Sequence, residues 1–120
     1  MTHACIFCGV AASRRHHPTG RDADERYLDP EFTVPACHDD HTVTHDDWYT
    51  FGIEATPEGG GALDVVELAM RRLGLLCARM TSHGSVWSSL ASWFARNAEL
   101  VARAKASLDE HYPGWRRVLD

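Results

Sequence analysis

The sequence predicts an α+β fold: a His- and Cys-rich N-terminal half of short strand and turn segments, followed by an antiparallel pair of helices. Three observations predict it. From Cys5 to Phe51 the apolar runs are short and broken by turn residues. After Gly59-Gly60-Gly61, preceded by Pro57 and Glu58, apolar residues recur near helical period. Eight His and four Cys occur in 120 residues, and six of those His and three of those Cys fall in the first half. A chain of this length supports one hydrophobic core. Residues 1–58 and 62–112 are therefore expected to pack as one compact domain.

The first element is Cys5-x-x-Cys8. Such a turn places two thiolates on one side of a tight knuckle, the geometry of the first two ligands of a tetrahedral zinc ion. His16 and His17 follow, then Pro18 and Gly20, which turn the chain at a strand end. Tyr27-Leu28-Asp29-Pro30 and Phe32-Thr33-Val34-Pro35 carry turn and strand signals. A helix beginning near Cys37 places His41 and His45, four apart, on the same face. Cys37 is the natural third zinc ligand. The fourth is open among Asp40, His41 and His38, because zinc accepts carboxylate and imidazole as well as thiolate.

The next helix spans about Leu63 to Met80, with Val66, Leu68, Ala69, Leu73, Leu76, Cys77 and Met80 as its apolar stripe. Asp64 and Glu67 lie in its first turn, where the helix dipole favours negative charge. Cys77 reads as a small buried apolar residue. Thr81 to Ser85, containing Gly84, makes a turn. A second long helix then runs from about Val86 to Glu110, with Trp87, Leu90, Phe94, Val101 and Leu108 on one face and Arg96, Arg103 and Lys105 mostly off it. Pro113 and Gly114 end it, leaving a short tail through Trp115. These helices are expected to serve as core and scaffold, with dimerisation or partner docking as a further use.

Lys and Arg total 12 against 17 Asp and Glu, a net charge of -5, which excludes coating of nucleic acid by bulk electrostatics and leaves a localised site open. The first 60 residues hold four Arg and eleven carboxylates, the last 60 hold eight basic residues and six carboxylates. An anionic substrate would meet repulsion at the acidic half unless bound metal offset it. No run of about 18 apolar residues appears, and the N-terminal residues lack the order of a secretory signal. A cytoplasmic protein without membrane attachment is expected. In a reducing compartment Cys-x-x-Cys reads as a metal or redox feature rather than half of a disulfide framework.

Cys5-x-x-Cys8, His16-His17 and Pro35-Ala36-Cys37-His38-Asp39-Asp40-His41-Thr42-Val43-Thr44-His45, in that order, resemble the zinc-containing HNH endonucleases. That family carries Pro-Leu-Cys-x-x-Cys-His-x-x-x-His at the start of its helix; the spacing here is the same, with Asp40 at the second Cys position. The likeness covers about Cys5 to Trp48. It implies a ββα-metal fold, with a hairpin between His17 and Cys37 packed on the helix. It further implies a structural zinc on Cys5, Cys8, Cys37 and a fourth group, Asp40 first, and a catalytic Mg²⁺, Mn²⁺ or other divalent ion on His16 and His45. His17 would be the general base, an apt role for an imidazole, whose reference pKa is about 6.5. His41 would orient the base and the hairpin loop, and the substrate would be DNA.

Arg14, Arg15 and Arg21 flank the His pair as candidate phosphate contacts. Trp48 and Tyr49 suit packing on the hairpin or stacking on a base. His38 reads as a surface residue at the helix start, His3 and His83 as solvated, and His111 as a partner of its helix's C-terminal dipole. Two other functions compete with the nuclease: a non-catalytic zinc-stabilised interaction module, and a thiol redox protein using Cys5 and Cys8. The redox reading lacks the strand-then-helix context of such motifs and leaves Cys37 unexplained.

Overall fold

A computed structural model describes residues 3–20, 31–54 and 61–119. The described elements are β1 (Arg14–His16), β2 (Val34–Ala36), α1 (His38–Thr50), α2 (Ala62–Arg79), a 3₁₀ turn (Thr81–His83), α3 (Ser85–His111) and α4 (Trp115–Leu119). The chain is α+β, with a two-stranded antiparallel sheet and helices. The register pairs Arg14 with Ala36, Arg15 with Pro35 and His16 with Val34.

The cysteine knuckle precedes the sheet. Gly9 N–H donates to Cys5 O at 2.9 Å, and Gly9 takes the left-handed conformation (φ 81°) that lets the chain reverse. Cys5 N–H then bonds Val10 O at 2.6 Å, and Ile6 N–H bonds Pro35 O at 3.0 Å, which fastens the knuckle to β2. The expected strand signal at residues 27–30 lies outside the described residues. The signal at 32–35 overlaps β2, but its partner is Arg14–His16, upstream of His17. This corrects the hairpin limits. Two arginines and a histidine have little strand preference, so pairing with β2 and burial of His16 decide this strand.

Cys37 caps α1, its Sγ accepting from Asp40 N–H at 3.4 Å. The helix ends with Gly52 N–H on Tyr49 O at 3.1 Å and Ile53 N–H on Trp48 O at 2.8 Å. Gly52, with φ 70°, supplies the left-handed residue this closure needs. Thr44 and Trp48 face inward, and Ile53 is buried beyond the cap.

On α2 the buried stripe is Val65, Ala69, Arg72, Leu76 and, on the adjoining positions, Gly74 and Cys77. Val65 takes the buried place expected for Val66, and an arginine occupies the middle of the stripe. Gly74 lets α3 approach, since a Cβ there would lie 3.3 Å from Phe94 Cβ. Cys5, Phe7, Ala36, Leu76, Cys77 and Met80 form a buried cluster against which Trp87, Ala91 and Phe94 of α3 pack. Cys77 is an apolar core residue, as its context predicts.

The tail is corrected as well. Beyond Pro113-Gly114 it forms α4, whose Trp115 is buried and donates its indole N–H to Asp109 Oδ1 at 2.8 Å. Arg116 reaches Asp64 Oδ2 at 2.7 Å and Asp109 Oδ1 at 2.9 Å. Lys105, expected off the packed face, bonds Asp64 at 2.8 Å and Glu67 at 2.9 Å. Among the described residues no helix is long and apolar enough to cross a membrane.

Candidate metal centres

Among the described residues, two clusters of donor atoms flank α1. In the first, one atom each from Cys5, Cys8, Cys37 and Asp40 lies within 4.8 Å of every other. The knuckle supplies Cys5 and Cys8, and the cap and first turn of α1 supply Cys37 and Asp40. Cys8 Sγ and Cys37 Sγ stand 3.8 Å apart. That matches the edge of about 3.8 Å of a tetrahedron with metal–sulfur bonds of about 2.3 Å. Asp40 Oδ2 is 3.3 Å from Cys5 Sγ and 3.1 Å from Cys37 Sγ. Among the open choices for the fourth donor, Asp40 is the one in this cluster, while His38 is exposed and His41 belongs to the second cluster.

The other Asp40 oxygen, Oδ1, accepts from Arg79 Nη2 at 2.9 Å, so α2 orients this carboxylate. Hydrogen bonding from Cys8, opposed by burial, keeps the Asp40 carboxyl below its ordinary pKa, helped by Cys37, Cys5 and the Arg79 charge. Around the thiols the balance differs. Val10 N–H favours the Cys8 thiolate, but the adjacent Asp40 carboxylate, burial and the other thiols push Cys8 up to about 12. Cys37 is raised too: Asp40 N–H favours its thiolate, and the Asp40 carboxylate, burial and Cys5 together outweigh it. Burial raises Cys5, yet N–H groups of Cys37, Cys8 and Phe7 bring it below the ordinary thiol value. Three thiols and a carboxylate are a donor set that zinc accepts.

The second cluster joins His16 of β1 to His41 and His45 of α1, again with one donor atom each within 4.8 Å. His41 Nε2 and His45 Nε2 are 3.0 Å apart. The His16 ring centroid lies 5.5 Å from that of His41 and 5.6 Å from that of His45. His16 is 1% exposed, and neither of its ring nitrogens has a hydrogen-bond partner. Burial first, then the neighbouring imidazoles of His45 and His41, pull its pKa down to about 3. The ring is thus neutral near pH 7, the form a metal ligand requires. A buried imidazole with two orphaned nitrogens, facing two more imidazoles, fits a divalent metal ion. Trp48 backs the cluster, 5.2 Å from the His16 ring and 4.9 Å from that of His45.

His17 is half-buried and adjoins His16 without belonging to the group of three, and its carbonyl accepts from Gly20 N–H at 2.9 Å. Arg14 and Arg15 are exposed and line, with His3, Ser13, Thr33 and Pro35, an open groove of about 480 Å³. Arg21 lies outside the described residues. Tyr49 is exposed, whereas Trp48 is used in packing. His83 corrects an expectation: its Nε2–H donates to Phe7 O at 2.8 Å instead of being solvated only. His111 is exposed in the last turn of α3.

Arg72 and Arg79 were not singled out from the sequence. The signal was there: arginines seven apart on one helix face, one of them inside an apolar stripe, imply buried partners. No protein-family model, curated protein or solved structure matches the chain.

Proposed function

We propose that the protein is a metal-dependent endonuclease of the HNH type that hydrolyses DNA phosphodiester bonds, with β1, β2 and α1 as its ββα-metal unit. The observation that carries this reading is the convergence of His16, His41 and His45 beside His17, separate from the thiolate cluster. In this reading the three imidazoles hold a divalent ion, so His41 becomes a ligand in place of the orienting role implied by resemblance. A set of three nitrogens suits zinc or nickel better than Mg²⁺, which prefers oxygen. When bound, such an ion supplies charge stabilisation for the scissile phosphate and the leaving oxygen.

His17 takes the proton from the attacking water, a task an imidazole performs near neutral pH. Arg14 and Arg15 contact neighbouring phosphates and set the register of the strand on the protein. Cys5, Cys8, Cys37 and Asp40 hold a structural zinc that ties the knuckle, β2 and α1 together.

The test is nicking of supercoiled plasmid by purified protein with Zn²⁺, Ni²⁺, Mn²⁺ or Mg²⁺. His17→Ala should abolish nicking and leave metal content unchanged. Equal cutting by His17→Ala overturns the assignment of the base. A second reading, a non-catalytic zinc-stabilised module that binds a protein partner or a second copy through its C-terminal helices, is favoured by one observation. Val86, Leu90, Trp93 and Leu100 leave an apolar face of α3 exposed. It predicts no cleavage with any divalent ion.

A further inference from the structure

We propose that Arg72 is a positioning residue for the three-imidazole site, holding from α2 the segments that present its ligands. This rests on the reading that His16, His41 and His45 bind a metal ion. Arg72 is 1% exposed. Its guanidinium donates from Nε to Ile53 O at 3.0 Å, from Nη1 to Thr19 O at 2.6 Å and from Nη2 to Glu54 O at 2.7 Å. Thr19 is three residues beyond His16, and Ile53 and Glu54 follow directly on the end of the helix that carries His41 and His45. One planar group therefore fixes the relative position of the two chain segments that bring the imidazoles together.

The same guanidinium lies 4.4 Å over the Trp48 ring, and that ring touches both His16 and His45. The order across the site is guanidinium, indole, then imidazoles. Burying a guanidinium is costly unless its donors are engaged, and an apolar side chain would fill the space at less cost. What an apolar residue lacks is a rigid fork that addresses three carbonyls at once. A lysine ammonium, without that plane, lacks it too. The thiolate cluster is served by Arg79, two turns further along α2, and by none of the Arg72 bonds above. Loss of Arg72 should thus act on one centre and spare the other, which makes the second centre an internal reference for folding.

The experiment is a Co²⁺ titration of the full chain. Binding at the thiolate centre gives sulfur-to-cobalt charge-transfer absorption, and binding at the imidazole centre does not. His45→Ala identifies the imidazole equivalent in the wild-type titration. Arg72→Lys should leave the thiolate centre within about twofold of wild type and weaken the imidazole centre about 10- to 100-fold, the range for loss of an outer-shell partner. Unchanged affinity at both centres, or equal loss at both, overturns the proposal. If Arg72→Lys does not fold, Trp48→Leu carries the test with the same expected selective loss, and loss of both centres in both variants overturns it. A wild-type chain that binds a single equivalent, with thiolate absorption, overturns the metal-site reading itself. Two equivalents in wild type with an unchanged Arg72→Lys overturns the role of Arg72 alone.

Discussion

Asp64→Asn tests how the end of the chain is held to α2. The Asp64 side chain is 5% exposed and receives four donors: Gly61 N–H at 2.8 Å, Lys105 Nζ at 2.8 Å, and Arg116 Nε and Nη2 at 2.7 and 3.2 Å. Removing one partner of a buried ion pair costs about 3–5 kcal/mol, because the remaining charge loses its compensation. Here Lys105 retains Glu67, and Arg116, at 38% exposure, retains Asp109 and is partly screened by water. The lower end, about 3 kcal/mol, is therefore expected. With an unfolding entropy of about 2.1 cal/mol/K per residue, a chain of this length has about 0.25 kcal/mol/K, so the melting temperature falls by about 12 °C.

The pH dependence follows from the same contacts. Burial pushes the Asp64 carboxyl up, and Arg116, Lys105 and Gly61 N–H outweigh it, leaving the group well below the ordinary carboxylate range. A group depressed in the folded state adds stability that is complete above its unfolded value of about 3.9 and is lost as pH falls toward the folded value. Thermal melts followed by circular dichroism should show the wild-type advantage in full at pH 7 and shrinking between about pH 5 and pH 2. Taking the difference between the two proteins at each pH cancels contributions of the two donor clusters, which lie elsewhere and are common to both. A difference under about 3 °C at pH 7, or one that does not change with acidification, would refute the reasoning.

Further perturbations address the thiolate centre and the helix crossing. Asp40→Ala removes a donor and should weaken zinc binding, read by competition with a chromophoric chelator, by at least about 100-fold, the upper end for loss of an outer-shell partner; Asp40→Cys should restore it. Stripping the metal should lower the melting temperature, because Cys5 is both a donor and a member of the buried cluster; an ion present at 1,000 times its Kd adds about 4 kcal/mol. Gly74→Val places side-chain atoms where Phe94 Cβ already stands 3.3 Å from a bare Cβ position, and should destabilise by about 1–3 kcal/mol in denaturant melts.

Much of this architecture is legible along the chain because it depends on local spacing. The periodic apolar residues and the flanking Gly and Pro locate α2 and α3 to within a residue or two. Cys5-x-x-Cys8 and the run from Cys37 to His45 bring forward seven donor residues, and six of them fall in the two clusters with His16 as the seventh member. Cys37 and Asp40 meet because a helix start is a local structure with fixed geometry, and Cys8 joins them because the knuckle packs on β2. His38 shows the limit of this reasoning, since adjacency to Cys37 on a helix start aims it away from the cluster its neighbours form.

The end of β1 was legible at His16 from Pro18 and Gly20, but its extent and partner were not, because Arg14-Arg15-His16 pairs with residues eighteen or more positions away. Arg72, Arg79, Lys105, Arg116 and Trp115 were missed for the same reason. On paper Lys105, Arg116 and Trp115 are solvated charges or a tail residue, and the spacing of Arg72 and Arg79 implies buried partners without naming them; each acquires its role from an acceptor 6 to 53 positions distant.

The sequence by itself determined the helices, the α+β class and the identity of the donor residues, since periodicity, capping and ligand spacing act within a few residues. Only the tertiary structure decided how the donors divide into two clusters, that Asp40 joins the thiols while His41 faces His16 and His45, and that α2 reaches Asp40 through Arg79 and the Thr19, Ile53 and Glu54 carbonyls through Arg72. Those outcomes depend on which buried polar groups find each other when distant segments pack, and a buried charge is tolerated only where that search ends in a partner.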